Sequence, residues 1–204
     1  MPLHIEYSMI AGEGVQLEPL SLAHARGLYA IGQDADDWRY LPRPCFTSLE
    51  DTEEWIEEAC LLSEKHLHYS YVIIDSENDE VMGSTRYLNI VPQDYVLEIG
   101  YTFLGKAYQR TRVNTLTKYL MLENAFEGLC ANRVELRTDQ RNIRSQRAIE
   151  RIGAIKEGVL RKHRIVQQGY VRDTVVYSIL ADEWPLIQAG LYKKIPKIQT
   201  DIFH

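Results

Sequence analysis

The sequence predicts one α/β (α+β) domain, and three observations support that class. Between Leu97 and Gly153 the spacing of apolar residues changes from that of a strand to that of a helix, and does so twice. Short polar turns at 76–79 and 167–169 each separate two strand-like runs, as in antiparallel hairpins. The 204 residues suit one ordinary domain. We therefore expect a single domain over 1–204, with its core at about 14–191 and a loose tail at 193–204.

A short strand and two helices are predicted at the N-terminal end. Apolar and polar residues alternate over 15–19, where a proline closes the strand. Ser21 and Ser48 are residue types that commonly cap helices. They precede predicted helices over about 22–31 and 49–65.

The remaining elements follow from further changes of period. Gly105 interrupts the strand that starts at Leu97, and helical spacing begins near Thr111. Gly153 ends the second helix of this region, a position where glycine is common. The predicted elements are strands at 69–75, 80–90, 97–103, 133–138, 154–166 and 170–180, and helices at about 111–129, 142–152 and 182–191.

Charge is unevenly distributed along the chain. The formal net charge is −6, yet 15 of the 23 basic residues lie between Gly105 and Arg172, against six acidic ones. The segment from Asp34 to Glu58 is the reverse, with nine acidic and two basic residues. A polyanionic ligand would be attracted to the basic region and a cationic one to the acidic region. The overall acidity and the lack of a recognised motif argue against nucleic acid as a partner.

Composition also bears on the compartment and on metals. The three cysteines are few and widely spaced, as expected of reduced thiols in a cytoplasmic protein. No apolar run reaches about 18 residues, so no membrane span is expected, and the first residues lack the pattern of a signal peptide. His66 and His68 lie one residue apart, but no further ligands are placed near them in the sequence, so no metal site is predicted.

Three segments in the second half of the chain resemble one enzyme family. They are Glu98 to Tyr101 (EIGY), Gln109 to Asn114 (QRTRVN) and Asn142 to Ala154 (NIRSQRAIERIGA). Their order and spacing are similar to those of the GNAT superfamily of acyl-CoA N-acyltransferases, and more narrowly to its RimJ/RimL-like branch. Later segments are also similar, and the likeness covers roughly residues 14–188.

The resemblance implies a fold and an activity. The fold would be a mixed, largely antiparallel sheet with helices on both faces, in the order β-α-α-β-β-β-α-β-α-β-β-α. The activity would be transfer of an acetyl or other acyl group from acetyl-CoA to a primary amine of a protein N-terminus or small molecule. Transfer would occur by direct attack in a ternary complex, and a homodimer is compatible with this function. Two alternatives stay open: a CoA-binding regulatory or interaction protein without turnover, and an enzyme that uses a larger donor such as succinyl-CoA.

Glu98 and Ser145 are the candidate catalytic residues. Glu98 lies on the polar face of its strand, beside a glycine that leaves space, and a glutamate here acts as a base through water in some GNAT enzymes. The alternative is a structural carboxylate paired with an arginine such as Arg86. Ser145 matches a serine of RimL-like relatives that protonates the departing thiolate, or it belongs only to the first turn of its helix. Backbone N–H groups around 101–104 would stabilise the oxyanion.

The resemblance places acetyl-CoA against the loop and helix that follow this strand. The family's phosphate loop is usually Gln/Arg-x-x-Gly-x-Gly/Ala, whereas here Arg112 and Asn114 stand in the glycine positions. Which backbone amides would hold the pyrophosphate is therefore left open. The candidate CoA-binding residues are Gln109, Arg110, Thr111, Arg112, Val113, Asn114, Lys118, Asn142 (also suited to cap its helix) and Arg147 (for the 3′-phosphate).

Two parts of the chain are candidates for the acceptor site. Trp38 and Tyr40 lie in the segment 33–46, predicted to be an irregular loop, which flanks the acceptor in the family. The alternative is that these aromatic side chains anchor the loop to the core. Arg86 would suit a carboxylate on a larger acyl group.

The last long strand supplies the other acceptor candidates, Asp173 and Tyr177. They lie on the same face of the predicted strand and are expected to face the acceptor. An ion pair between Asp173 and a strand arginine such as Arg161 is an equally good interpretation. The acidic segment from Asp34 to Glu58 favours a cationic acceptor.

Overall fold

The computed structural model describes residues 3–193 and contains one mixed sheet. Its strands are β1 (Ile10–Gly12), β2 (Val15–Pro19), β3 (His68–Asp75), β4 (Val81–Val91), β5 (Val96–Leu104), β6 (Arg133–Asp139), β7 (Ile155–Ile165) and β8 (Val171–Leu180). They lie in the order β1-β2-β3-β4-β5-β6-β8-β7. Neighbouring strands are antiparallel except β5 and β6, which are parallel. The predicted mixed, largely antiparallel sheet is confirmed.

Helices cover both faces of the sheet, as predicted. They are α1 (Ala25–Ile31), α2 (Ala35–Trp38), α3 (Leu49–Glu64), α4 (Val113–Glu123), α5 (Ile143–Arg151) and α6 (Trp184–Tyr192). One core joins α1, α2 and α3 to the sheet through residues such as Leu28, Ile56 and Phe103. A larger core joins α4, α5 and α6 to it through residues such as Leu97 and Leu120. The two faces therefore have separate apolar cores.

Three elements differ from the sequence prediction. The sequence does not predict β1, because three residues are too few to show a period. Helix α2 lies inside the segment predicted as a loop, where the Asp34 carboxylate accepts a hydrogen bond of 3.0 Å from the N–H of Asp36 and caps it. Helix α4 begins at Val113 and continues as a π-helical turn over Asn124–Gly128. The tail expected at 193–204 lies outside the described residues, except for Lys193.

The parallel strands β5 and β6 separate after a short paired stretch. Their register joins Val96–Glu98 to Arg133–Glu135. Beyond that stretch β5 continues beside β4, and β6 continues beside β8. A wedge-shaped opening therefore forms in the middle of the sheet, next to Glu98.

A β-bulge interrupts β5 beside this opening. Between the paired residues Ser84–Phe103 and Arg86–Gly100, β4 has one residue and β5 has two. Tyr101, one of the two, has a φ of 50°. Because a bulge leaves a peptide group outside the ladder of the sheet, this segment has N–H groups that can point at a ligand. The two bulged residues of β5 lie within the segment 101–104, where oxyanion donors are expected.

Gly83 allows β4 and β5 to approach each other closely. A Cβ atom at this position would lie 2.2 Å from the carbonyl oxygen of Phe103, which is backbone and cannot move aside. We expect Gly83→Ala to reduce the free energy of unfolding by about 1–3 kcal/mol through this overlap. Urea denaturation followed by circular dichroism would measure it.

Gly158 supplies the matched control for that substitution. It also lies in a strand, but no atom lies within 4 Å of the position its Cβ would occupy. Gly158→Ala is therefore expected to leave stability unchanged or slightly raised. Equal denaturation midpoints for the two variants would contradict the close approach at Gly83.

Candidate active site

A cavity of about 620 Å³ occupies the opening between β5 and β6. The starts of α4 and α5, the segment after α2, and residues of β7 and β8 complete its walls. The predicted site residues that line it are Tyr40, Glu98, Gln109, Arg110, Thr111, Asn114, Lys118, Asn142, Ser145 and Arg147. The structure therefore brings most of the predicted CoA-binding residues and both predicted catalytic residues to one cavity.

The first turn of α4 forms one side of this cavity. Thr111 lies just before the cap residue Arg112, and its Oγ1 accepts a hydrogen bond of 3.3 Å from the N–H of Val113, the first residue of the helix. Arg112, at a glycine position of the family loop, has an ordinary right-handed backbone with φ of −69°. The left-handed conformation falls on Arg110 instead, with φ of 61°. The missing glycines therefore do not strain the loop at Arg112, and the helix N-terminus stays available for an anion.

Gln109 ties three elements together at the cavity wall. Its Nε2 donates to the carbonyl oxygen of Leu104 at 3.0 Å and to Oδ1 of Asp37 at 2.6 Å. Its Oε1 accepts a hydrogen bond of 2.9 Å from Nη1 of Arg144. These bonds position Arg144, a lining residue absent from the predicted site, beside the start of α4.

Asn142 caps α5 at the opposite wall. Its Oδ1 accepts a hydrogen bond of 3.0 Å from the N–H of Ser145. The structural role expected of Asn142 is thus present, while the side chain also lines the cavity. Ser145 and Arg147 lie on the same helix and line the cavity too, so their predicted roles stay predictions that the geometry permits.

Glu98 is a buried carboxylate at the point where the two strands separate. Only 6% of the residue is exposed. Its Oε2 accepts a hydrogen bond of 2.7 Å from Nδ2 of Asn89 and lies 3.3 Å from Nε of Arg137. Burial raises the pKa of Glu98, and the Asn89 bond and the Arg137 charge offset only part of that rise. The raised pKa makes the Glu98 carboxylate a stronger base than an exposed glutamate, which suits a general base.

Lys118 places a buried amine beside the bulged segment of β5. The residue is 7% exposed, and its Nζ donates a hydrogen bond of 2.6 Å to Oγ1 of Thr102. Burial lowers the pKa of Lys118 to about 7, although the nearby charge of Glu98 opposes that change. Thr102 Oγ1 also lies 2.8 Å from Thr85 Oγ1. Polar contacts therefore run from Lys118 through Thr102 on β5 to Thr85 on β4. A small change in pH near neutrality is therefore enough to protonate or deprotonate Lys118.

The predicted acceptor residues Trp38 and Arg86 do not line the cavity. Trp38 is 2% exposed and packs against Phe46 and Phe103, so it anchors its segment to the core. Arg86 is 4% exposed, and its guanidinium lies 4.7 Å from the ring centroid of Tyr101. Glu98 does lie beside an arginine, as the structural alternative expected, but that arginine is Arg137 and not Arg86.

Asp173 and Tyr177 also lie away from the cavity, which corrects the predicted orientation of β8. Tyr177 is fully buried, and its hydroxyl donates to Oε1 of Glu150 on α5 at 3.0 Å. The Asp173 carboxylate accepts a hydrogen bond of 2.7 Å from the backbone N–H of Lys162 on β7. This bond joins the two strands of the β7–β8 hairpin. The neighbouring residue Arg172 lines the cavity in their place.

Arg137, Arg164 and Arg172 are lining residues that the sequence analysis did not single out. Strand alternation alone separates Arg172 from Asp173 but does not tell which one faces the site. That choice depends on β8 lying between β6 and β7, a pairing that skips one strand in sequence. The excess of basic residues between Gly105 and Arg172 was the available signal.

The hairpin end Gln167–Tyr170, which we call the strap, joins the segment after α2. Nε2 of Gln167 lies within 2.8, 2.8 and 2.5 Å of the carbonyl oxygens of Trp38, Leu41 and Arg43. One side chain thus satisfies backbone groups of a segment that lines the cavity. The strap therefore closes over the segment after α2, whose residues Tyr40, Leu41 and Pro42 line the cavity.

Arg141 reinforces that closure with aromatic contacts. Its guanidinium lies 3.4 Å from the ring centroid of Tyr170 and 5.6 Å from that of Tyr40. Asp139 holds it there with hydrogen bonds of 3.0 and 2.7 Å. Burial alone would raise the pKa of Asp139, but the bonds from Arg141 outweigh it, and the pKa is lowered. The pair therefore stays ionised and keeps Tyr40 in place.

Gln167→Ala should loosen the strap. Removing the amide leaves the carbonyl groups after α2 without their donor, at a local cost of about 1–3 kcal/mol. We expect faster amide hydrogen exchange over residues 39–46, measured by mass spectrometry, with the exchange of β3 unchanged. Gln168→Asn is the control, since Gln168 is exposed and asparagine tolerates its φ of 57°. Equal exchange in both variants would show that Gln167 does not hold the segment.

Across residues 3–193, no group of three or more His, Cys, Asp and Glu side chains is placed to hold a metal ion. Over the same residues, no helix has the length and apolar character to span a membrane.

Comparison with known proteins decides the family. The model for the acetyltransferase (GNAT) domain matches residues 15–155. This chain belongs to the GNAT family. It is 27% identical over 177 residues to "Probable N-acetyltransferase YjcK" of Bacillus subtilis, covering 84% of this chain and 97% of that one. A GCN5-related N-acetyltransferase from Brucella melitensis has a TM-score of 0.88 at 28% identity, covering 94% of this chain and 87% of that one.

The GNAT assignment confirms the predicted family, fold and enzyme class, an acyl-CoA N-acyltransferase. The likeness to the RimJ/RimL-like branch is confirmed in the fold. A ribosomal-protein-S5-alanine acetyltransferase from Vibrio fischeri has a TM-score of 0.68 at 18% identity, covering 86% of this chain and 98% of that one. GNAT proteins bind acetyl-CoA.

Proposed function

We propose that this GNAT protein binds acetyl-CoA in the opening between β5 and β6 and transfers the acetyl group to a primary amine. The observation that supports this most is the composition of one cavity. It has the N-terminus of α4 on one wall and the buried carboxylate of Glu98 where the strands separate. The helix N-terminus suits a pyrophosphate, and the carboxylate suits a base that accepts a proton from an amine. Direct attack of an amine on acetyl-CoA, as predicted from the sequence, requires the cofactor site and the base to share one cavity.

The start of α4 would hold the pyrophosphate through backbone N–H groups. Thr111, Val113 and Asn114 lie in this turn, and Arg110 lies just before it. Arg147 on α5 is the candidate for the 3′-phosphate. Arg112 is a weaker candidate for direct contact, since its side chain extends to Gly14 in the turn between β1 and β2.

Glu98 would accept the proton of the attacking amine, directly or through a water molecule. The amine nitrogen then forms the new C–N bond, the C–S bond breaks, and Ser145 is the candidate to protonate the departing thiolate. Backbone N–H groups at the bulge would stabilise the oxyanion formed between these events. We assign Lys118 a related role, since its ammonium, hydrogen-bonded to Thr102, places positive charge beside the same segment.

The acceptor is a primary amine of a protein N-terminus or of a small molecule. The fold shared with the ribosomal-protein acetyltransferase supports the first class. The cavity volume of about 620 Å³, which is in the range of small-molecule pockets, supports the second. We further propose that residues 1–204 act as one domain in the cytoplasm, and a homodimer is compatible with the exposed face of α6.

Release of free CoA thiol from acetyl-CoA tests this function. The purified protein would be supplied with a panel of amino acids, amino acid amides, polyamines and short peptides, and thiol would be followed with a chromogenic disulfide. Amine-dependent thiol release, with a mass gain of one acetyl group on the amine, is the expected result. Tight CoA binding without thiol release across the panel would favour the binding protein instead. Faster release with succinyl-CoA would favour the larger donor.

A further inference from the structure

Two arginines face each other on the cavity wall formed by β7 and β8. Arg164 and Arg172 are directly opposite residues of these antiparallel strands, and both line the cavity. Like charges directly opposite each other destabilise a sheet. A pair of this kind in a cavity is expected where an anion lies between the two charges.

Neither arginine forms a direct ion pair with a carboxylate within residues 3–193, although the charges of Asp139 and Glu98 act on Arg172 and that of Glu98 on Arg164. The salt bridges of that part of the chain do not include Arg164 or Arg172. Arg172 is nevertheless 8% exposed, with its Nε donating to Oγ1 of Thr174 at 2.9 Å. Arg137, on the neighbouring strand, differs because it lies 2.6 Å from Glu135. Within the described residues the facing pair therefore has no carboxylate in direct contact.

Arg86 adds a third positive charge behind the same region. Its guanidinium lies against the ring of Tyr101, which lines the cavity. Its Nε and Nη2 atoms are buried, and within the described chain they have no hydrogen-bond partner. A buried guanidinium without a carboxylate raises the positive potential around it.

Two carboxylates of the acidic segment near α2 are paired with basic residues of the protein. Asp34 lies 3.0 Å from Nζ of Lys106, and Asp51 lies 2.7 Å from Nη2 of Arg43. Asp37 accepts the hydrogen bond from Gln109. Asp34 and Asp51 therefore have charged partners within the protein, whereas Oδ2 of Asp37, which lines the cavity, is buried without a hydrogen-bond partner in the described chain.

We propose that the acceptor carries an anionic group, a carboxylate or a phosphate, that binds between Arg164 and Arg172 while its amine lies at Glu98. Glu98, Arg164 and Arg172 line the same cavity, so one small molecule can contact the carboxylate with its amine and the arginines with its anionic group. Small aminocarboxylates and aminoalkyl phosphates have this arrangement. A protein N-terminus has an uncharged amide at the corresponding position. The inference rests on the proposed acetyl transfer and names its acceptor class.

Matched acceptors provide the first test. Thiol release would be measured with α-amino acids, with the corresponding amino acid amides, and with O-phosphoethanolamine beside ethanolamine. The amides have less basic amines, so a larger share is neutral and intrinsic reactivity favours them. A higher kcat/KM for the charged member of each pair would therefore indicate that the protein binds its anionic group. Comparing the amino acids with O-phosphoethanolamine shows which anion is preferred. An equal or higher kcat/KM for the neutral members overturns the inference while leaving acetyl transfer intact.

Arginine variants provide the second test. Arg164→Gln and Arg172→Gln should each raise KM for the anionic acceptor by about 10–100-fold, the loss of a charged hydrogen bond. The kinetics with neutral acceptors should change little. Arg161→Gln is the control, because Arg161 is exposed on the same strand and does not line the cavity. Equal KM changes for charged and neutral acceptors would overturn the assignment, since a general disturbance of the strand would affect both.

Binding can be measured without turnover. In the presence of CoA, the same amino acids and O-phosphoethanolamine should raise the unfolding temperature of the wild-type protein but not of Arg164→Gln. This result together with no thiol release would support the anion site and reject acetyl transfer. No shift with any anionic amine, together with thiol release from neutral amines, would reject the anion site alone.

Discussion

Replacing Glu98 with glutamine is expected to lower kcat by about 10²–10⁴-fold with little change in the affinity for CoA. Glutamine keeps the size of the side chain and can still accept from Asn89, but it cannot take a proton from the amine. CoA would bind at α4, on a different wall of the cavity. Initial rates of thiol release and calorimetric titration with CoA would measure the two quantities.

Stability provides an independent readout for the same variant. The fold raises the pKa of Glu98, so the folded protein binds this proton more tightly than the unfolded chain. The stability associated with protonated Glu98 is therefore complete below the unfolded pKa and lost as the pH rises through the folded pKa. Glutamine cannot ionise, so at pH 7 the variant should unfold at a temperature no lower than that of the wild type.

Glu157→Gln is a suitable control for Glu98→Gln. Glu157 pairs with Arg133 at the surface of β7 and does not line the cavity. It should retain full activity. A Glu98→Gln enzyme with an unchanged kcat would remove Glu98 from the mechanism, and one that had lost both activity and stability would point to the structural carboxylate instead.

The elements of the fold could be predicted because they depend on local patterns. Ser48 accepts a hydrogen bond from Asp51 at the start of α3, as expected of a capping serine. Asn142 does the same for α5. Each signal involves residues a few positions apart, so alternation, helical spacing and capping suffice to place the strands and helices.

The site was harder to predict because it depends on contacts between distant strands. The hydrogen bond from Asn89 to Glu98 requires the β4–β5 register, and the contact with Arg137 requires the parallel pairing with β6. The bulge at Tyr101 shifts which side chains of β5 face each side. No local pattern encodes these relations, which explains why Glu98 was identified while its partners were not.

Replacing Lys118 with methionine is expected to change stability and activity in opposite directions. Burial lowers the pKa of Lys118 to about 7, so the unfolded chain binds this proton more tightly than the folded protein. Stability linked to this group is present above the unfolded pKa and is lost as the pH falls towards about 7. At pH 6 methionine should therefore raise the free energy of unfolding by about 3–5 kcal/mol, and the difference should shrink towards pH 10.

The same substitution removes the positive charge beside the bulge of β5. If the ammonium stabilises charge that develops at the thioester, kcat should fall by about 10²–10³-fold, as for the loss of one oxyanion donor. Lys156→Met, an exposed lysine outside the cavity, should change neither quantity. Chemical denaturation at pH 6 and pH 10 and steady-state kinetics would measure both effects.

A Lys118→Met protein that is stabilised at pH 6 and fully active would show that the charge is a cost of folding with no catalytic use. One that is destabilised at every pH would contradict the lowered pKa. The expected combination, a more stable and less active enzyme, has a physical basis in the site itself. A charge held in a buried cavity is unfavourable for the folded protein, and it persists because the reaction in that cavity develops the opposite charge.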